Sequence, residues 1–285
     1  MFDTDDANRA DIPALKRLWK STFHDTNSYI DQYFNELFSK IRIVVARDPK
    51  GKPISMLSML PVEWKRGDQR YPGHYIYAAA TERRQEGKGI MTELLRFACQ
   101  SAKERGDSFS CLIPATEPLF AFYQKRGYQP MFYREHLHFL PDEGKIQQMP
   151  TEITPLSIEK FTSLRTAFVQ KQENVILQAE HLYPYLYAEL KESGIEPLLI
   201  RSEAFDGYAV CYRIDDLLAV KETSLEEEQL KAILPQLERR FGCRGTVAAF
   251  PPRSAESAKP YGMVCPLTDL PELAGDMGYM GLLMD

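Results

Sequence analysis

The feature that most constrains this chain is a junction near the end of its first third, where an extended segment meets two glycines and then a helix. His74 to Thr81 (HYIYAAAT) reads as a strand. From Ile90 the apolar residues Ile90, Leu94, Leu95, Ala98 and Ala102 recur every three to four positions until Gly106 stops them. Between the two lies Glu82-Arg83-Arg84-Gln85-Glu86-Gly87-Lys88-Gly89. Glycines let the backbone turn tightly and bare successive N–H groups. The helix behind them leaves its first amides unpaired and brings the positive end of its dipole to the same point. Glu86 to Met91 is therefore an anion cradle suited to a pyrophosphate, with Lys88 and Arg84 at its rim. Two spaced glycines also make an ordinary strand-to-helix turn, and the loop alone leaves both readings open. It is neither a Walker loop nor a full GxGxxG fingerprint.

The flanking pattern is mixed α/β. Residues 11 to 24 read as a helix capped by Asp11, with Pro13 in its first turn. A second helix carries Tyr29, Ile30, Tyr33, Phe34, Leu37 and Phe38 on one side. Ile41 to Arg47 and Ile54 to Trp64 read as strands around Asp48-Pro49-Lys50-Gly51 turn chemistry. Beyond Gly106 come a strand from Ser108 to Ile113, a helix from Leu119 to Lys125 and a strand from Tyr128 to Leu140. Residues 141–155 collect Pro, Gly and polar residues without apolar period and read as a linker. The second half repeats the order coarsely, with helices near 157–171 and 179–192, and strands at 197–202, 207–213 and 217–221. A helix from Leu225 to Phe241 and a strand from Thr246 to Phe250 follow. Two domains, 1–140 and 156–285, are expected, related by a degenerate duplication.

Composition narrows the function classes. With 285 residues, 44% of them hydrophobic, the chain can bury two cores. A net charge of −5 argues against broad phosphate-backbone binding, so no nucleic-acid partner is expected. No apolar run approaches the roughly 20 residues that span a bilayer, and the N-terminus lacks the order of a signal peptide. No membrane partner and a cytoplasmic location are expected. Five cysteines without a CxxC pair suggest reduced thiols rather than a disulfide framework or zinc ribbon, and no metal is expected.

Phe122-Tyr123-Gln124-Lys125-Arg126-Gly127-Tyr128 (FYQKRGY) completes a set that resembles the GNAT N-acetyltransferase superfamily. Its members hold an acetyl-CoA pyrophosphate on a loop (Arg/Gln)-x-x-Gly-x-(Gly/Ala) and later carry an aliphatic-or-aromatic, Tyr, x, x, x-Gly-aromatic segment. Arg84 to Gly89 fits the loop in one register. Glu86 to Met91 fits it in the other, with Glu86 where Arg is usual and Met91 where Gly or Ala is usual. That departure keeps the backbone cradle and sets a carboxylate near the phosphates. The resemblance covers residues 9 to 140. With the opening from Asp11 to Trp19, a GNAT-like second half and the ending from Gly278 to Asp285, the chain is similar to the enhanced-intracellular-survival-type acetyltransferases. Those join two GNAT-like domains and usually add a sterol-carrier-like domain, which this chain is expected to lack.

The resemblance implies an α/β (α+β) fold of two GNAT-like domains, each a mixed, mostly antiparallel sheet flanked by helices. It implies acetyl-CoA as co-substrate, with the pantetheine against Ala78, Ala79 and Ala80, and the pyrophosphate held around Arg84, Glu86, Gly87, Lys88, Gly89, Ile90 and Met91. Three small side chains let a slender chain lie close, although they also suit a thinly packed buried strand. It further implies that Tyr123 is the general acid that protonates the departing thiolate, a phenol of pKa near 10 suiting a thiol near 8.5. No general base stands out. Glu117, Glu82 and the carboxylate of Asp285 are the candidates, and His74, His136 and His138 are lone strand histidines of the kind usually packed or exposed.

The second half lacks the cradle. After Leu217 to Lys221 it has Glu222-Thr223-Ser224-Leu225-Glu226-Glu227-Glu228, whose acids suit a helix start capped by Ser224 or Thr223 and would repel a pyrophosphate. One coenzyme site per chain is expected, with the second domain walling the acceptor cleft. The leading reading is an acetyltransferase acting on a primary amine (small molecule, lysine or N-terminal) by direct transfer in a ternary complex. The competing reading is a non-catalytic acyl-CoA sensor, favoured by Glu86 and the missing base. The acceptor is not named by the sequence, and a homo-oligomer is left open.

Overall fold

A computed structural model describes residues 2–140, 150–254, 256–270 and 277–284. The chain opens with β1 (Asp3–Asp6) and a 3-10 turn at Arg9–Asp11, then α1 (Ile12–Phe23) and α2 (Asn27–Leu37). β2 (Arg42–Arg47), β3 (Pro53–Arg66) and β4 (Gln69–Thr81) make an antiparallel meander. α3 (Ile90–Glu104), β5 (Phe109–Leu112), α4 (Glu117–Gln124) and β6 (Gln129–Phe139) follow. The second half runs β7 (Glu152–Pro155), α5 (Ile158–Gln170), β8 (Asn174–Gln178), α6 (Tyr183–Glu192), β9 (Glu196–Arg201) and β10 (Asp206–Ile214). It closes with β11 (Leu217–Thr223), α7 (Glu227–Phe241), β12 (Thr246–Phe250), β13 (Lys259–Pro266) and β14 (Tyr279–Gly281). The architecture is mixed α/β, helices on a large and mostly antiparallel sheet.

The strands lie in the order β1-β2-β3-β4-β5-β13-β6-β12-β11-β10-β9-β7, with β8 on β3 and β14 on β8. β13, from the far end of the chain, is inserted between β5 and β6 of the first half. β8 pairs with the outer part of β3 from Val62 to Arg66. The two halves are thus interlaced by shared strands. Sequence patterning misses β1, β8, β13 and β14. β1 is wholly polar (DTDD), and β8 (NVILQ) has only three apolar residues in a row. Part of the expected linker, Glu152–Pro155, is an edge strand on β9, while residues 141–149 lie outside the described residues.

α1 and α2 bury Leu15, Leu18, Trp19, Ile30, Tyr33, Phe34 and Leu37 with residues of β3 and β4 in one core, which Tyr183, Tyr185 and Leu186 of α6 also enter. α3 buries the expected stripe of Ile90, Leu94, Leu95, Ala98 and Ala102 in a second core, with Ile54, Leu57 and Tyr123. Asp11 does not cap α1. Asn8 caps the preceding 3-10 turn, and the Asp11 carboxylate accepts instead from the Asn8 N–H and from both terminal nitrogens of Arg47 at 2.7 and 2.8 Å. The side chain is thereby turned onto β2, away from the helix N–H groups.

Candidate active site

The site begins with a strand pair that comes apart. β4 and β5 run parallel only from Gly73↔Phe109 to Ile76↔Leu112. Their approach needs a glycine, since a Cβ on residue 73 would sit 2.5 Å from the Phe109 ring. Beyond Ile76, β4 continues to Thr81 while paired only with β3. On that side the register slips between Ser58↔Tyr77 and Met56↔Ala80, so Ala78 and Ala79 together face Leu57. Ala78 takes a left-handed φ of 50°, the mark of a bulge. The free edge of β4 therefore presents unpaired peptide groups beside small side chains, a place for an extended amide-bearing ligand.

At the end of β4 the chain makes a 3-10 turn at Arg83–Gln85 and then reaches Gly87 and Gly89, with φ of 74° and 78°. Nothing lies within 4 Å of a Cβ added at either, so it is the backbone conformation, not space, that calls for glycine. Gly89 is the N-cap of α3 and supplies no side chain to the first N–H groups. Those donors and the helix dipole stay available. Lys88 is exposed and reaches Gln85 Oε1 at 2.9 Å, Arg84 and Glu86 are exposed, Ile90 is buried and Met91 half-buried.

Tyr123 is buried on α4, edge-on to Tyr128 at 5.7 Å. Burial raises its pKa, with Arg126 partly opposing, so the phenol stays protonated at neutral pH. Its residue lines a cavity of about 820 Å³ together with Ala78 and Ala79. Trp19, Phe23, Tyr29, Tyr75 and Tyr77 make an aromatic wall, and Asp25, Glu189 and Glu192 supply carboxylates. Among the described residues no Lys, Arg or His lines this cavity. Trp19 Nε1 donates to Asp25 at 2.7 Å, and the Tyr29 and Tyr77 hydroxyls share a hydrogen bond of 3.0 Å. Burial, followed by the nearby Glu189 charge, pushes Tyr29 up to about 12, and burial pushes Tyr77 and Tyr33 up as well. The phenols are therefore protonated at neutral pH.

The expected bases fare differently. Glu117 is exposed in the first turn of α4 and does not line the cavity. Six residues at about 100° each place it roughly 120° around the helix from Tyr123. Glu82 lies outside the cavity and pairs with Lys52 at 3.4 Å. Asp285 lies outside the described residues, although the preceding Met284 lines the cavity and its carbonyl accepts from Tyr75 at 2.9 Å. His74 is committed to Asp107 at 2.7 Å. The cavity acids Asp25, Glu189 and Glu192 were not legible in sequence. Asp25 and Glu189 stand 164 positions apart and meet only because α6 packs against α2.

Among the described residues the second half makes no such cradle. Glu222 is buried against Arg165 and accepts from Tyr208 at 2.7 Å. Neither Thr223 nor Ser224 caps α7, because both hydroxyls are spent on the corner, accepting from Leu225 N–H and Tyr208 N–H. Glu226 is the N-cap, and Glu227 pairs with Lys231 and Arg253.

The parted β4 and β5, the bulge of β4 against β3 and the glycine-led, uncapped start of α3 thus lie together at one end of the sheet. Residues 3–131, a little under half of the chain, match the family described as Acetyltransferase (GNAT) domain. Solved structures share the fold across both halves. A probable N-acyltransferase from Enterococcus faecalis V583 is 14% identical with a TM-score of 0.75, covering 94% of this chain and 73% of its own. A GCN5-related N-acetyltransferase from Anabaena variabilis ATCC 29413 is 18% identical with a TM-score of 0.75 over the same shares. Eis1 from Mycobacterium abscessus is 11% identical with a TM-score of 0.68, covering 94% of this chain and 74% of its own. No curated protein matches the sequence. Among the described residues no helix is long and apolar enough to cross a membrane, and no cluster of His, Cys, Asp and Glu is arranged to hold a metal ion.

Proposed function

We propose that the chain moves an acetyl group from acetyl-CoA to a cationic primary amine by direct transfer in a ternary complex. The observation that carries this reading is the opening of the split β4 edge into the same cavity that Tyr123 lines. The residues fit the coenzyme. Gly87 and Gly89 bare the N-terminus of α3 for a pyrophosphate, and the peptide groups from Tyr77 to Thr81 serve the pantetheine amides. The bulge at Ala78 and Ala79 takes backbone groups out of the ladder, where they suit a developing oxyanion. Tyr123, kept protonated by burial, delivers a proton to the leaving thiolate.

The acceptor side is argued from charge. Three carboxylates without a lining cation favour an ammonium group, and Trp19, Tyr29 and Tyr77 favour a cation with apolar or ring surface. The amine must shed a proton before attack. Glu189, close enough to raise the Tyr29 pKa, receives it through the Tyr29–Tyr77 pair. One coenzyme site per chain fits the acid-filled start of α7. The test is thiol release from acetyl-CoA by the purified chain with a panel of mono- and polyamines. Tyr123→Phe is expected to lower turnover about 100-fold while leaving coenzyme affinity near wild type. Unchanged turnover removes Tyr123 from the mechanism. Coenzyme binding without steady thiol release on any amine favours the sensor reading, to which the exposed Glu86 beside the cradle lends support.

A further inference from the structure

The transferase reading leaves a group of reactive side chains unused. A second cavity, of about 540 Å³, shares no lining residue with the first. Cys99 of α3 and Cys265 of β13 both line it, and both are partly exposed. Arg96, Lys103, Lys125 and Arg126 line it too, and no acidic residue does among those described.

Behind Cys99 stands His74 of β4, 3% exposed, with Nδ1 at 2.7 Å from the Asp107 carboxylate. Its Nε2 is buried without a hydrogen-bond partner, and the Cys99 thiol lies against the same ring. Burial works against the imidazolium, but the Asp107 carboxylate and the Cys99 thiol beside the ring outweigh it and hold the His74 pKa up. Cys265 faces Ser110 across the β13–β5 ladder, and the Tyr128 hydroxyl is 3.7 Å from the Cys99 sulfur. Tyr128 is itself fixed by Ser110 at 2.7 Å. Hydrogen bonding from Cys265 first, and from His74 next, pulls the Cys99 pKa well below its ordinary value, while Cys265 is pushed up. A stabilised thiolate beside a protonated neighbour is the division of labour of attacking and resolving thiols.

We propose that Cys99 and Cys265 form a thiol–disulfide exchange site for small anionic disulfides, with Cys99 attacking and Cys265 resolving. The Cys99 thiolate attacks one sulfur of the disulfide RSSR. The S–S bond breaks, RS⁻ leaves and takes a proton from solvent, and Cys99 carries a mixed disulfide with SR. Cys265 then loses its proton and attacks the Cys99 sulfur, releasing the second RS⁻. Both thiols are oxidised to one disulfide, and RSSR is reduced to two RSH. Lys103, Lys125 and Arg126 select for anionic R groups, while Arg96 is paired with Glu93.

The test uses the full chain with 5,5′-dithiobis(2-nitrobenzoate), a dianionic disulfide whose released thiolate is coloured. Wild type is expected to release two equivalents in its fast phase and to yield a Cys99–Cys265 linked peptide by mass spectrometry. Cys265→Ser releases one and keeps the adduct on Cys99, and Cys99→Ser loses the fast phase. At pH 6 an ordinary thiol is about 0.3% ionised, so the wild-type phase is roughly tenfold faster than the thiols of Cys99→Ser, after allowing for the weaker nucleophilicity of an acidic thiolate. The groups facing Cys99 in that titration are His74, Asp107, Tyr128 and Cys265, with the four cavity cations around them. His74→Gln is expected to shift the phase to higher pH, a readout that loss of packing alone does not give. Salt slows the anionic probe but not bis(2-hydroxyethyl) disulfide. A fast phase that survives in Cys99→Ser, an adduct mapped to Cys243, or no Cys99–Cys265 link overturns the proposal. Equal salt dependence of the two probes overturns its charge selectivity.

Discussion

Two buried charges show how single side chains hold the frame of the site. Arg165 on α5 is fully buried and holds Glu222 through Nε at 2.8 Å and a second nitrogen at 3.1 Å, and it donates to the Gly281 carbonyl at 2.8 Å. The pair therefore ties α5, β11 and the β14 segment that leads to the cavity-lining Met284. Glu222→Leu strands the guanidinium in the core and is expected to cost about 3–5 kcal/mol, read by urea unfolding. The double variant with Arg165→Met should recover most of that loss. A recovery no larger than the single variant's stability would show that the ion pair is not what matters. Asp11 is a simpler case. Its hydrogen bond to Arg47, set against the cost of burial, lowers its pKa below 3.8. A depressed folded-state pKa gives stability that is full above about pH 4 and lost as pH falls through the folded value. Asp11→Asn is expected to be less stable than wild type at pH 7, with the gap closing in acid. A gap independent of pH would assign its effect to shape alone.

The turn from β4 into α3 is set by backbone conformation, and its variants should separate stability from binding. Gly87 has a φ of 74° with open space where a Cβ would stand. Gly87→Ala therefore costs about 1–2 kcal/mol of local strain with no clash to relieve. The loop is expected to relax out of the conformation that exposes its N–H groups, lowering coenzyme affinity more than the melting temperature. Gly87→Asn, which tolerates the left-handed region, should fall between the two. Calorimetric titration with coenzyme A beside thermal unfolding reads both quantities. Equal affinity in all three proteins would dissociate the loop from the phosphates. The helix behind the loop was fully legible, because Ile90, Leu94, Leu95, Ala98 and Ala102 share one face at helical spacing and all are buried. The bulge was not. Three alanines in a row carry no register signal, and the slip at Ala78 exists only against β3.

The halves of the molecule cannot be cut at the stretch that looks like a linker. β13 completes the first sheet between β5 and β6, β8 covers the outer part of β3, and α6 lines the cavity beside Tyr123. A fragment of residues 1–140 would expose β5 and β6 as edges and open the aromatic core around Tyr33. It is expected to aggregate or to lack cooperative unfolding, measured by circular dichroism and hydrogen exchange. A stable, monomeric, coenzyme-binding fragment would contradict this interlacing. The repeated order of elements suggested two self-contained halves because periodicity reports what each segment is, not which sheet it joins.

Local patterning was enough for the helices, the long strands and the glycine cradle, since each depends on residues within a few positions of one another. Tyr123 was singled out by the resemblance of its segment, and it lines the cavity. Strand partners across more than 100 residues, the parting of β4 from β5, and the gathering of Asp25, Glu189 and Glu192 around one cavity were decided by packing. The same holds for Cys99 and Cys265, unremarkable by spacing and neighbours only because β13 threads between β5 and β6. Burial and charge at such places are properties of contacts between distant segments, and a linear order of residues does not contain them.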